Sequence, residues 1–566
     1  MVNKNKITCL ACLQNMNILK LLLSCFLLLM GCSSSAQPPL ALPTPQQVLW
    51  HRLERTMFIH FAPNTWQGTE LDNRSTPLSR INPQRLDVHQ WIDAAEAFGA
   101  KMIVFVAKHA GGFCMWQTTT SEYSIKSTSY KNGKGDVLDE LANACAQRGM
   151  RLGVYIYPGD DTWGAYIGGG GRTKDPAKQE AYNQVLRSQW EEVLSRYGRQ
   201  IHEIWFDGSV IVPLEDIVQQ YAPHAIVFQG PFASIRWVGN EEGIAPYPAW
   251  NSVPAKDAAT GTATAQHGHP DGDVWMPLEV DVPLKNHNWF WSPTNHANLR
   301  SVDELLEIYY KSVGRGAVLL LNAAPDTTGL IPEEDMQVYR AFGRALQKRF
   351  SNPVFSAAGK GAVLEVQLAS ATPIDHIVIQ EAIEFGERIR EYQIEGLTDR
   401  GWQTLASGSS VGNKRIHSFD QVRVKALRLT STKYAALPII EKWEAFFANT
   451  PPIAATDAAK PHKRIGNLEV QPGGSFTIDL TAHIQQAGQY AISWVSAADE
   501  AITLQSCELF LEGVKTPGFA ALQGANKCSI NITGHPSGAP NSIQLRGSIK
   551  GSISPRVPVQ LFLQKL

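Results

Sequence analysis

Between residues 50 and 350, short unbroken apolar runs alternate with stretches in which apolar side chains recur every third or fourth position. Met57-Phe58-Ile59-His60, Met102 to Val106, Leu152 to Tyr157, Ile204-Trp205-Phe206, Ala225 to Phe228 and Ala317 to Leu321 have the texture of strands buried on both faces. Between them, Val88, Trp91, Ile92 and Ala95 fall at helical spacing, as do Leu138, Leu141, Ala142 and Cys145. Tyr182, Val185, Leu186, Trp190 and Val193 repeat the pattern, and Val302, Leu305, Leu306, Tyr309 and Val313 close it. Repeated strand–helix units predict a parallel sheet. No GxGxxG follows a strand, as a dinucleotide-binding doubly wound sheet would show. The length suits a closed barrel with insertions. The predicted fold class is α/β, with a (β/α)8-like barrel over residues 45–350.

After Phe350 the texture changes to short strands separated by turns. Val363 to Leu368, Ile374 to Ile379, Tyr392-Gln393-Ile394 and Ala426 to Leu429 predict a β-sandwich, discoidin-like, over residues 351–448. A Pro-, Ala- and Lys-containing stretch over 449–464 reads as a linker. Residues 465–566 form a second small β-domain in this reading.

The first 31 residues are a targeting segment and stand outside the fold. Lys4, Lys6 and Lys20 precede an apolar run from Leu21 to Met30, the length of a signal-peptide core and short for a membrane span. The run ends in Leu29-Met30-Gly31-Cys32. This resembles the bacterial lipobox, whose cysteine carries the lipid anchor; cleavage near Ala36 and a free periplasmic protein is the alternative. An exported chain is expected either way, anchored to a membrane only through lipid. Cys507 and Cys528 could pair in such an oxidising compartment, whereas Cys145 lies on an apolar helical face.

Composition narrows the partners. The 566 residues are 44% hydrophobic and 18% charged, which excludes general disorder. Fifty-one Lys and Arg against 52 Asp and Glu leave a net charge of −1. A nucleic-acid binder needs a basic surface, so nucleic acid is not an expected partner. The oligomeric state is not encoded in any pattern found.

In a barrel, chemistry gathers at the C-terminal ends of the strands. There the chain places His60, Lys108-His109, Tyr155, Tyr157, Asp207 and the stretch after Phe228. Asp207, between a buried strand and Gly208, reads equally as an exposed acid at the barrel mouth or as a helix cap. Arg236-Trp237-Val238-Gly239-Asn240-Glu241-Glu242-Gly243 offers a second acid. Two carboxylates are the requirement of glycoside hydrolysis. His267-Gly268-His269 with Asp271 and Asp273 reads as a solvated loop before a metal site. Gly168 to Gly171 lacks the Lys-Ser/Thr of a phosphate loop.

Ordered motifs carry the reading further. They are Met57-Phe58-Ile59-His60-Phe61, Lys108-His109, Gly112-Phe113-Cys114-Met115-Trp116 and Gly133-Lys134-Gly135-Asp136. They continue with Ile204-Trp205-Phe206-Asp207-Gly208, Arg236 to Glu241, Trp275 to Val282 with Trp289-Phe290, and Leu320-Leu321-Asn322 leading to Pro325-Asp326. Over residues 48 to 350 this series resembles family 29 glycoside hydrolases, the α-L-fucosidases. The resemblance implies an exo-acting retaining enzyme that needs no metal or organic cofactor and takes a fucosylated oligosaccharide or polysaccharide. Asp207 matches the nucleophile. Glu241 matches the acid/base of the branch cleaving α-1,3/1,4-linked fucose, with Glu242 as the fallback. His60, His109 and Tyr155 match sugar contacts, and Glu70 and Arg236 are assigned the same role. Trp116, Trp237 and Trp289 are candidate walls for the sugar. The family usually has Lys-His-His-Asp-Gly-Phe where this chain has Lys108-His109-Ala110-Gly111-Gly112-Phe113. That departure keeps an α-L-galactosidase as an alternative, beside a glycan-binding lipoprotein without catalysis.

Overall fold

The computed structural model describes residues 40–258, 266–286 and 288–453 and, beyond them, segments of strand between 463 and 565. The targeting segment with its lipobox lies outside the described residues, as do the side chains of Cys507 and Cys528.

Eight parallel strands build the barrel: β1 (Arg55–Ile59), β2 (Met102–Lys108), β3 (Arg151–Ile156), β4 (Ile201–Trp205), β5 (Ile226–Phe228), β6 (Arg236–Trp237), β7 (Leu278–Val282) and β8 (Val318–Ala323). Their hydrogen-bonded order is β5-β4-β3-β2-β1-β8-β7-β6, so chain neighbours are sheet neighbours throughout. A parallel bridge between Phe228 and Ile235 joins the two edges. Helices Val88–Ala97, Val137–Arg148, Gln179–Tyr197, Glu215–Tyr221, Val302–Lys311 and Glu333–Phe350 return the chain after β1, β2, β3, β4, β7 and β8. β5 and β6 follow each other with no helix between them, and a long excursion separates β6 from β7.

The continuous apolar runs are explained by two cores, one on each face of the strands. Phe58, Val104, Val106, Tyr155, Trp205 and Leu320 fill the barrel interior. Met57, Ile59, Phe105, Val154, Ile204 and Leu321 face outward against helix residues such as Trp91, Leu141, Trp190 and Tyr339. Helix ends are set locally. Asp136 caps Val137–Arg148 by accepting from Asp139 N, and Gly149 ends that helix in the left-handed conformation. Ser301 and Glu304 form a capping box at the start of Val302–Lys311.

Two barrel strands escaped the apolar pattern. β6 is only two residues long, and β7 reads Leu-Glu-Val-Asp-Val. Both acids of β7 are buried, so the strand carries polar groups on the face that the other strands fill with apolar ones. Glu279 meets Glu203 of β4 inside the barrel. Trp205 Nε1 donates to Glu279 Oε2 over 2.7 Å, and Trp50 Nε1, from the N-terminal helix Pro45–His51, donates to Glu203 Oε2 over 2.7 Å. Burial without a counter-ion pushes both carboxyls up, Glu203 to about 7.

A six-stranded antiparallel sheet follows, in the order Phe355–Lys360, Ile439–Phe446, Val363–Glu381, Arg415–Tyr434, Ile389–Thr398, Gly401–Gly408. Its own core gathers Ile377, Ile379, Ile394, Val424, Leu429 and Trp443. The strands described past Lys463 form two four-stranded antiparallel sheets.

Candidate active site

The residues at the C-terminal ends of the strands enclose a cavity of about 320 Å³, near the lower end of the ~300–1,000 Å³ typical of ligand pockets. Phe58, Tyr155, Trp205 and Phe228 line it with aromatic faces, and Trp205 lies flat on Phe228 with ring centroids 3.7 Å apart. His60, Glu70, His109, Asp207, Trp237, Glu241 and Trp289 also line it. Eight of the ten residues singled out in the sequence, Tyr155 included, therefore meet in one place.

Asp207 sits two residues past β4. Gly208 turns the chain there in the left-handed conformation, φ +68°, where a side chain is disfavoured. Gln229, just past β5, accepts from Gly208 N over 2.7 Å and holds that turn. Asp207 Oδ2 accepts from the Tyr155 hydroxyl over 3.0 Å. Burial, reinforced by the charge of Glu241, raises its pKa to about 6 against the pull of that hydrogen bond.

Glu241 follows β6 in the loop. Trp289 Nε1 donates to Glu241 Oε2 over 3.2 Å. Trp289 is itself fixed twice: its N–H donates to Glu70 Oε2 over 2.9 Å, and its carbonyl accepts from Asn322 Nδ2 over 2.7 Å. Asn322, on β8, also accepts from His60 Nδ1 over 2.7 Å. Burial keeps the His60 and His109 rings neutral, His109 with a pKa lowered to about 4. His109 Nδ1 is buried with no hydrogen-bond partner in the protein. Glu242 does not line the cavity; its charge acts on Arg300 instead.

Asp281 is a fourth carboxyl in the cavity, beside Glu70, Asp207 and Glu241, and was not assigned a role from the sequence. It accepts from Trp237 Nε1 over 2.5 Å, and burial with the charges of Glu241 and Asp207 holds it well above the usual carboxylate range. The available signal was the acid at the C-terminal end of Leu278–Val282. Gln229 carried no signal beyond its place at a strand end, and Asn322 stood in the Leu320-Leu321-Asn322 motif with no role assigned to it.

A sequence model described as Alpha-L-fucosidase matches residues 56–349, the barrel together with every residue of this cavity. The chain belongs to the α-L-fucosidase family. This makes it a glycoside hydrolase. "Alpha-L-fucosidase 1" of Arabidopsis thaliana is 31% identical over 488 residues, covering 76% of this chain and 94% of that protein. Among solved structures, a glycoside hydrolase 29 family member from an unknown rumen bacterium is 25% identical with a TM-score of 0.69, covering 90% of this chain and 96% of that one. A Ruminococcus gnavus GH29 fucosidase in complex with fucose is 25% identical with a TM-score of 0.64, covering 73% and 96%.

Against the α-L-fucosidase pattern, the departure at Ala110-Gly111 has a structural counterpart. A Cβ on Gly111 would lie 2.3 Å from Asp72 Oδ2. Asp72, from the segment after β1, thus occupies the space beside the turn. It accepts from Tyr123 OH over 2.6 Å and from Gln67 Nε2 over 2.7 Å. Ala110 lines the cavity with its methyl group, and Leu71 and Ile167 stand at the same cavity.

Two sequence assignments are corrected. Trp116 is fully buried in the core between strands and helices and donates through Nε1 to Glu192 Oε2 over 2.9 Å. It is absent from the cavity wall because the segment after β2 folds back onto helix Gln179–Tyr197. Arg236 is buried too and points away from the sugar site. Its guanidinium donates to the carbonyls of Met276 (2.8 Å), Gln266 (2.7 Å) and Trp250 (2.6 Å), tying together the base of the loop that carries Glu241. His267 Nδ1 contacts the Pro248 carbonyl and His269 Nδ1 accepts from Asp271 N, so these histidines serve their own loop.

Proposed function

We propose that the protein is an exported, lipid-anchored, exo-acting α-L-fucosidase that retains anomeric configuration, with Asp207 as nucleophile and Glu241 as acid/base. The observation that carries the reading is the pairing of these two acids on one cavity whose floor is aromatic. A pocket of this size takes a terminal sugar and leaves the rest of the glycan outside. Asp207, deprotonated, attacks the anomeric carbon while Glu241 protonates the departing glycosidic oxygen. The sugar is then an ester on Asp207. Glu241, now a carboxylate, takes a proton from the incoming water, which attacks the same carbon and frees Asp207.

The supporting shell has defined work in this scheme. Tyr155 donates to the nucleophile in its charged form, and Trp289 orients the acid. Neutral His109, with an unpartnered Nδ1, and neutral His60 offer hydrogen bonds to sugar hydroxyls. Burial and the charges of Glu241 and Asp207 disfavour ionisation of Asp281, and with it a further negative charge beside the two catalytic acids. The substrate class is a glycan ending in α-L-fucose, in α-1,3 or α-1,4 linkage.

The test measures nitrophenol release from the α-L-fucoside and the α-L-galactoside side by side, with Asp207→Asn as control. Fucoside turnover abolished in the variant, with the first-formed sugar keeping its α configuration by NMR, supports the reading. A preference for the galactoside points to the alternative substrate, and no turnover of either sinks catalysis. The anchor is tested by incorporation of labelled palmitate, expected in the wild type and lost in Cys32→Ala.

A further inference from the structure

The loop carrying Glu241 does not end at the barrel. Past its tight turn, where Asn240 Nδ2 donates to the Ile244 carbonyl over 2.9 Å, the chain runs along the antiparallel sheet domain from Tyr247 to Asn251. Four contacts fix it there. Ser409 N donates to Tyr247 OH over 2.7 Å, and Arg415 lies over the Tyr247 ring at 4.0 Å. Ala249 N donates to Ser410 Oγ over 3.2 Å. Glu387, only 3% exposed, takes both Asn251 N (2.9 Å, Oε2) and Asn251 Nδ2 (2.7 Å, Oε1). Two parallel bonds to one residue set orientation as well as distance.

The same carboxylate lies close enough to Arg236 to act on its charge. Arg236 begins the loop and bonds the Trp250 carbonyl at its end. Glu387 therefore sits against both ends of the segment through which Glu241 is presented. A buried carboxylate is costly without partners. Here its hydrogen-bond partners are the backbone N–H and side-chain amide of Asn251, and the guanidiniums of Arg390 and Arg236 lie close enough to act on its charge.

We propose that Glu387 is a positioning residue for the acid/base loop, acting through Asn251 and Arg236, so that the sheet domain is a working part of the active site. This rests on the reading of Glu241 as acid/base. The mechanism supplies a discriminating readout. A nitro-activated phenol departs without protonation, so kcat/KM for its fucoside does not depend on where the acid stands. A sugar leaving group does need that proton.

The experiment compares the full-length wild type with Glu387→Gln, Ser410→Ala and Glu241→Gln on a fucosylated trisaccharide and on a chloronitrophenyl fucoside. Glu387→Gln is expected to lose about 10–100-fold in kcat/KM on the trisaccharide, the scale of a misplacement of roughly 1 Å, and under about threefold on the aryl fucoside. Ser410→Ala is expected to show the same asymmetry, a few-fold in size, and decides the matter if Glu387→Gln does not fold. Equal losses on both substrates, or none on either, would overturn the proposal. Glu241→Gln should show the asymmetry at its largest. If it does not, the assignment of Glu241 falls, and the result is distinguishable from a failure confined to Glu387.

Discussion

Tyr155 and Asp207 are joined by a hydrogen bond of 3.0 Å from the phenol to Oδ2, the one side-chain donor on this carboxylate among the described residues. Its effect opposes burial. The outcome is an acid with a pKa of about 6 that must be ionised to attack. The kcat/KM profile of the free enzyme should accordingly fall as pH drops through about 6. Tyr155→Phe removes the donor to the charged form, so the acidic limb should move up. A hydrogen bond to a charged group contributes about 1.5–3 kcal/mol, equivalent to roughly one to two pH units. Initial rates between pH 4.5 and 8 on the aryl fucoside check this; an unmoved limb would mean that it reports another group.

The same raised pKa predicts that the nucleophile destabilises the fold. In the unfolded chain an aspartate ionises near 3.9; in the folded one it holds its proton to about 6. Between those values the unfolded state releases its proton more readily, so stability falls as pH rises through the window and stays reduced above it. Asp207→Asn, which never ionises, should be more stable than wild type at pH 7 by about 1–2 kcal/mol. The gain should shrink as pH falls toward 4. Urea unfolding of both proteins at pH 7 and pH 4.5 measures it, and a gain independent of pH would contradict the linkage.

The strands that could be read directly are those whose two faces are both apolar, such as β2, where every residue but Lys108 is hydrophobic and all seven are buried. β7 was hidden for a physical reason: its inward positions carry Glu279 and Asp281, and acids inside a strand erase the apolar run. One of these acids lines the cavity, so the strand least legible as a strand belongs to the site. Asp207 and the histidines were legible because strand ends in a barrel face the ligand. Trp116 and Arg236 were misplaced because residue type states what a side chain can do, while the direction taken by the chain after a strand decides whether it reaches the site. The pairing of Asp72 with Gly111 joins segments far apart in sequence, and neither residue alone signals the other.

The two tryptophans on either side of that distinction should respond in opposite ways. Trp116 is packed in the core, so Trp116→Ala should cost about 3–5 kcal/mol of stability with KM on the glycan unchanged in the folded protein. Trp289 is half-buried at the cavity and donates to Glu241. Trp289→Phe, which keeps an aromatic ring and deletes the N–H, should leave stability within about 1 kcal/mol and lower kcat/KM on the trisaccharide. Melting temperatures and steady-state kinetics on the same preparations separate the cases. A rise in KM for Trp116→Ala would restore that residue to the site.

Gly111 and Asp72 give the sharpest test of how this chain departs from its family. A Cβ on Gly111 would fall within 2.3–2.7 Å of three side-chain atoms of Asp72. Asp72 has little freedom to yield, because Tyr123, Gln67 and the Arg74 backbone N–H all bond to it. Gly111→Ala should therefore destabilise by about 1–3 kcal/mol through overpacking. It should also disturb the cavity, since Leu71 and Ala110, the neighbours of the two residues, both line it. Asp72→Gly alone loses its hydrogen bonds but, by removing Cβ together with the carboxyl, opens the space. In the double variant the overpacking cost disappears, so the two effects should fall short of additivity by about 1 kcal/mol or more. A double-mutant cycle by urea unfolding, with KM for the fucoside measured on all four proteins, reads the coupling directly. Strict additivity would show that Asp72 does not fill the place beside Gly111.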